Sequence, residues 1–161
     1  MLVTGPNKGI ILLVFACGLI AGAVLGGFLH SPIGQGETPV IFTKNAPQPI
    51  GPYSQAVKSG DFVFLSGQIG INPSTGNLSS TIEGQTTLVM ENLHAILQES
   101  GLGFEDVVQT RIYLVNMSDW TTVNRVYGYY FTDDYPARAT VQVTGLPKGA
   151  LIEIEMVAQK R

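Results

Sequence analysis

The residues of this chain best suited to chemistry are an arginine and two glutamates near its C-terminal end. They lie in Pro136–Glu155, which reads PARATVQVTGLPKGALIEIE. Two runs there, Arg138–Thr144 and Leu151–Ala158, are rich in β-branched and apolar residues and alternate in polarity. Gly145-Leu146-Pro147-Lys148-Gly149 separates them, so the pattern predicts two strands with a Gly/Pro connection. Alternation puts Leu151, Glu153, Glu155 and Val157 on one face of the second strand and Ile152, Ile154, Met156 and Ala158 on the other. Arg138, at the start of the first strand, can face that carboxylate row. A guanidinium holds a carboxylate by a planar two-point contact, and a nearby glutamate can handle a proton or a water. The same pattern also describes a surface ion pair between neighbouring strands, and on pattern alone this plainer reading leads.

The elements that must position these residues can be read in order. Val40–Thr43 predicts a first strand, and the prolines of Asn45–Pro52 exclude regular structure because proline fixes φ and removes a donor. That rigid loop delivers Tyr53-Ser54-Gln55. Ala56–Lys58 and Phe62–Ser66 flank Ser59-Gly60-Asp61 as a hairpin, Ser66-Gly67-Gln68 ends its second strand, and Asn72–Asn77 is a turn-rich loop. Ser80-x-x-Glu83 predicts a capping box for a helix in which Val89, Leu93, Ile96 and Leu97 recur at helical spacing, and Gly101 stops it. His94, without a partner at ligand spacing, reads as a surface or satisfied histidine. Val107–Val115 predicts a central strand. Ser118 or Asp119 caps a second helix with Trp120, Val123, Tyr127, Tyr130 and Phe131 along one face. The order β-β-β-α-β-α-β-β gives an α+β class, a mixed sheet packed on two helices.

Mean hydropathy is +0.23 with only 13% charged residues, and the apolar excess sits in Gly9–Leu29, where nothing is charged. These 21 residues would span roughly 31 Å as a helix, enough for a bilayer core. Gly18, Gly22 and Gly26 form a small-xxx-small stripe of the kind that packs membrane helices. The expectation is therefore a short flank (1–8), a transmembrane anchor (9–29), a linker (30–39) and a folded domain (40–161). A cleaved signal is the alternative, although Gly27-Phe28-Leu29-His30 offers no convincing cleavage site. Lys8 is the only charge before the run, and the positive-inside rule then places a membrane-anchored domain outside the cytoplasm. Cys17, the single cysteine, lies within the apolar run, so the domain has no disulfide.

Setting Lys8 aside, eight basic residues face twelve acidic ones, with no basic run or aromatic-basic interleaving. Nucleic acid is not the expected partner. The chain contains no glycine-rich phosphate loop, no Cys/His metal cluster and no nucleophile elbow, so neither a cofactor nor a metal is expected.

A series of short motifs then becomes specific. In order they are Ile50-Gly51-Pro52-Tyr53-Ser54-Gln55-Ala56, Leu65-Ser66-Gly67-Gln68-Ile69, Glu91-Asn92-Leu93, Val123-Asn124, Pro136-Ala137-Arg138, and Leu146–Ala150 with Ile152-Glu153-Ile154-Glu155. From about Thr43 to Ala158 the chain resembles the RidA/YjgF family; the apolar N-terminal run lies outside the resemblance. What the resemblance implies is a chorismate-mutase-like α+β fold assembled as a homotrimer with sites between subunits. The implied activity is hydrolysis of reactive enamine/imine acids, such as 2-iminopropanoate and 2-iminobutanoate, to 2-oxo acids and ammonia. It implies Arg138 as the substrate's carboxylate clamp, Glu153 as the residue positioning water, and Tyr53, Ser66 and Asn124 as further pocket residues. Thr140 stands where a cysteine is frequent in the family. A trimeric module that binds a small carboxylate without turning it over would keep the same residues, so the sequence leaves both readings open.

Overall fold

The computed structural model describes residues 39–132 and 134–161. The expected flank, anchor and nearly all of the linker lie outside the described residues. Six strands form one sheet: β1 (Val40–Ile41), β2 (Ala56–Ser59), β3 (Phe62–Ile69), β4 (Val107–Leu114), β5 (Ala137–Gln142) and β6 (Ile152–Gln159). Two helices, α1 (Ile82–Glu99) and α2 (Trp120–Gly128), complete the expected order.

The strands lie in the order β1-β2-β3-β6-β4-β5, and every neighbouring pair is antiparallel except β4–β5. A helix between β4 and β5 returns the chain to the same end of the sheet, which is why that pair runs parallel. β6 inserts between β3 and β4. It alternates perfectly between buried and half-buried residues, and Ile152, Ile154, Met156 and Ala158 are all within 2% of full burial. This is the face division its sequence predicts. The expectation that Arg138 could face the carboxylate row from a neighbouring strand is overturned: β5 pairs with β4, with Arg138 opposite Thr110. Glu155 instead faces Arg111 of β4 and forms an ion pair with it. Parallel pairing after α2 outweighs the short connection to β6.

α1 lays Val89, Met90, Leu93, Ile96 and Leu97 on the sheet, each fully buried. Its cap is Thr81, whose hydroxyl accepts from the Gly84 N–H at 3.1 Å, one residue beyond the expected Ser80. Gly101, at φ +75°, follows the helix end as expected. At α2 the cap is Asp119, with no side-chain hydrogen bond, while Asn116 caps the 3-10 turn before it. Val123, Tyr127 and Phe131 are buried, but Trp120 is 46% exposed at the helix start. His94 is half-buried and stacks on Phe104. Both helices cover one face of the sheet. The other carries Phe64 and Val141 (45% and 46% exposed) together with the Arg111–Glu155 pair.

Candidate active site

Glu153, Tyr53 and Ser66 line one cleft of about 480 Å³, with Gly67, Lys148, Ile50, Ile71 and Pro147 among its other walls. The cleft exists because β3 carries a bulge. Leu65 pairs with Met156 and Gln68 with Ile154, so Ser66 and Gly67 together oppose Glu155 alone. A Cβ at Gly67 would overlap the Glu153 carboxylate, so only glycine lets that side chain lie across the strand. Burial, followed by the nearby Glu155 charge, pushes the Glu153 carboxyl above the usual carboxylate range. Such a group is a stronger base than a free carboxylate.

Two hydroxyls beside it have divided tasks. The Ser66 Oγ donates to the Ser54 carbonyl at 2.6 Å, which leaves its lone pairs facing the cleft. The Tyr53 hydroxyl accepts from the Ile50 N–H at 3.2 Å and so keeps its own proton for a ligand. The loop carrying Tyr53 is tied down by buried Gln55. The Gln55 Oε1 accepts from the Thr43 N–H at 2.7 Å, and its Nε2 donates to the carbonyls of Thr43 and Pro47 at 3.0 and 2.9 Å. Gln85 does the same for β6, accepting the Leu151 N–H at 2.8 Å while donating to the Ser79 carbonyl. Lys148, at the rim, adopts φ +56° before Gly149 at +71°, a left-handed turn that sets the approach to β6.

Arg138 and Asn124 lie in a second cleft of about 450 Å³, with Tyr127, Gly128, Tyr135 and Pro136. Arg138 is opposite Thr110, which is fully buried under the helices, so it projects on the helix-covered face. Glu153 is opposite Tyr113, three positions along β4, and projects on the uncovered face. The structure thus gathers the expected site residues into two groups, Glu153/Tyr53/Ser66 and Arg138/Asn124, on opposite faces of one sheet. Thr140 is half-buried on the Arg138 face of β5 and lines neither cleft. The sequence pattern alone does not mark Gln55, Gln85, Gly67 or Lys148 as site residues. Glycine inside a strand pattern is the signal available for Gly67, since it marks a bulge or a close approach. Among the described residues, no three His, Cys, Asp or Glu side chains gather as a metal site.

Comparison with known proteins matches residues 43–160 to the family model described as Endoribonuclease L-PSP. The chain belongs to the RidA/YjgF family. A RutC family protein of Pyrococcus horikoshii is 51% identical over 122 residues, covering 75% of this chain and 97% of that one. The human 2-iminobutanoate/2-iminopropanoate deaminase is 46% identical over 120 residues, 74% of this chain and 88% of that protein. Reactive Intermediate Deaminase A, chloroplastic, of Arabidopsis thaliana is 47% identical over 120 residues, 74% and 64% of the two chains. Among solved structures, RidA from an Antarctic Psychrobacter superposes with a TM-score of 0.75 at 41% identity, over 76% of this chain and 99% of that one. The RidA fold expected from the sequence is therefore the fold observed.

Membrane anchoring with an extracytoplasmic domain is corrected by these findings. The family match begins at residue 43, and the Arabidopsis relative is named as chloroplastic. Among the described residues no helix is long and apolar enough to cross a membrane. Residues 9–29, on which the expectation rests, lie outside the described residues.

Proposed function

We propose that this chain hydrolyses reactive 2-imino and enamine acids to 2-oxo acids and ammonia, with 2-iminobutanoate and 2-iminopropanoate as its substrates. The observation that carries the reading is the Glu153 carboxyl, raised by burial and laid across Gly67 beside Tyr53 and Ser66. Two RidA/YjgF relatives above 45% identity bear deaminase names.

An imino acid presents a carboxylate next to an electrophilic C=N carbon. Its hydrolysis needs the carboxylate fixed, a water aimed at that carbon and a proton delivered to nitrogen. Arg138 fixes the carboxylate through its guanidinium fork, with Asn124 beside it. Glu153 accepts a proton from water as the oxygen bonds to the C=N carbon and the C=N electron pair moves to nitrogen. Glu153 returns that proton to nitrogen, giving the neutral tetrahedral carbinolamine. The carbinolamine then collapses: Glu153 takes the hydroxyl proton and passes it to nitrogen as the C–N bond breaks, so that ammonia leaves and the carbonyl remains. Tyr53 donates to the developing negative charge, and Ser66 accepts from the water. No cofactor enters this sequence.

Arg138 and Glu153 project from opposite faces of one sheet, so a working site takes Arg138 from one copy and Glu153 from a neighbour. We propose a homotrimer with three such sites, closed by the uncovered sheet face and by β5, which is exposed over most of its length. The full chain, supplied with imino acids generated in situ by an amino-acid oxidase, is expected to accelerate 2-oxo acid release, and Arg138→Ala to abolish the acceleration. A folded oligomer that accelerates nothing across several side chains would replace the deaminase by a carboxylate-binding module.

A further inference from the structure

The Arg138 guanidinium lies over the Tyr127 ring, 4.9 Å from its centroid. Tyr127 is 2% exposed, and its phenol donates to the Thr110 Oγ1 at 3.1 Å. Thr110 is itself fully buried and is the residue of β4 paired in register with Arg138. A buried phenol needs a partner, and Thr110 supplies it; what core filling leaves unexplained is the cation carried on the outer side of the ring. Arg138 is the second residue of an edge strand and is exposed, so a free side chain there would sample many rotamers. Two-point binding of a carboxylate requires one of them.

We infer that Tyr127 is a positioning residue for the substrate carboxylate: its ring, locked by Thr110, holds the Arg138 guanidinium flat with its N–H edge open to a small carboxylate. The electron-rich ring face attracts the cation, and stacking leaves the in-plane donors free. Burial pushes the Tyr127 phenol up, so it remains a donor to Thr110 across the working range of pH. α2 thereby contributes two walls to one cleft, Asn124 and, one turn on, Tyr127.

The identity of the substrate rests on the deaminase reading, but carboxylate binding tests Tyr127 separately from turnover. The measurements are KM and kcat for oxidase-generated 2-iminobutanoate and the calorimetric Kd of 2-oxobutanoate, all on the full chain. Tyr127→Phe keeps the ring but removes its bond to Thr110, so KM and Kd should rise about twofold at constant kcat, and this variant is the reference for the fluorinated series. Phenylalanines bearing successive ring fluorines at position 127 keep the shape while draining the ring face. KM and Kd should rise stepwise to about two- to fivefold, the ratio that 0.5–1 kcal/mol of cation–π attraction gives, at constant kcat. A flat response to fluorination, in variants that fold as the parent does, overturns the inference while leaving the deaminase standing. If the parent turns nothing over, the deaminase reading falls, and the Kd series alone decides on Tyr127: a stepwise rise supports it, and a flat series or no binding overturns it.

Discussion

The two clefts are built in opposite ways. The Glu153 cleft lies among central strands and is braced by buried amides, with Gln55 tying its loop and Gln85 tying the start of β6. The Arg138 cleft sits at an edge strand against a nine-residue helix, and its arginine is exposed. One side holds the Glu153 carboxyl against the backbone at Gly67. The other presents a charge for something outside the chain to meet. The division suits a site whose proton chemistry needs rigidity and whose clamp must remain open until another copy and a substrate arrive.

Breaking the rigid side should have the largest effect. Gly67→Ala forces the Glu153 carboxylate off the strand, and a displacement near 1 Å should lower kcat by about 100-fold. Steady-state rates at unchanged oligomeric state check this, and a rate within threefold of the parent would show that the carboxyl position is not critical. Gln55→Ala comes next. It leaves the buried N–H and carbonyl of Thr43 unpartnered, at about 1–3 kcal/mol for each unsatisfied group, and frees the half-buried Pro47 carbonyl. Thermal unfolding should show a clear fall in Tm, and the binding of a carboxylate at Arg138 should survive in the folded fraction.

Smaller effects sharpen the electrostatics. Glu155→Gln removes a charge that disfavours ionisation of Glu153, so the Glu153 pKa should fall. The proposed reaction needs Glu153 ionised, and the acid limb of kcat/KM should therefore move to lower pH, with little change at the plateau. An acid limb that stays in place would separate Glu153 from the base role. Stability carries the opposite sign. A carboxyl raised by the fold stabilises the native state in its protonated form below the unfolded pKa, and this contribution is lost as pH rises through the folded pKa. Glu153→Gln removes the ionised, partly buried form, so it should raise Tm modestly at neutral pH and leave it nearly unchanged in acid.

Much of this arrangement was legible beforehand, for local reasons. The alternation in Leu151–Ala158 contains no Gly or Pro, and it sorts into the buried and half-buried sets observed in β6. The apolar stripe of α1 and the order of elements follow from periods of 3.6 and 2. Sheet order does not. A five-residue connection suggested that the last two strands are neighbours, whereas α2 carries β5 to the far side of β4. The separation of Arg138 from Glu153 is equally invisible in sequence, since a face is defined only once the partner strand is known. Trp120 shares the α2 stripe but lies at the first turn, beyond the reach of the core. The buried amides of Gln55 and Gln85 look like ordinary polar residues in sequence, because their partners are backbone groups brought close only by folding. The comparisons, meanwhile, overturned the membrane placement drawn from one lysine and an apolar run.

The central claim is that one site takes residues from two copies, and subunit mixing tests it most directly. Arg138→Ala and Glu153→Gln copies, each inactive alone, would be co-refolded or co-expressed and assayed together. Random assembly should restore about a quarter of the parental activity per site, because some interfaces then join an intact Arg138 to an intact Glu153. Mixed oligomers that remain as inactive as either variant would contradict the shared site and return both residues to a single chain.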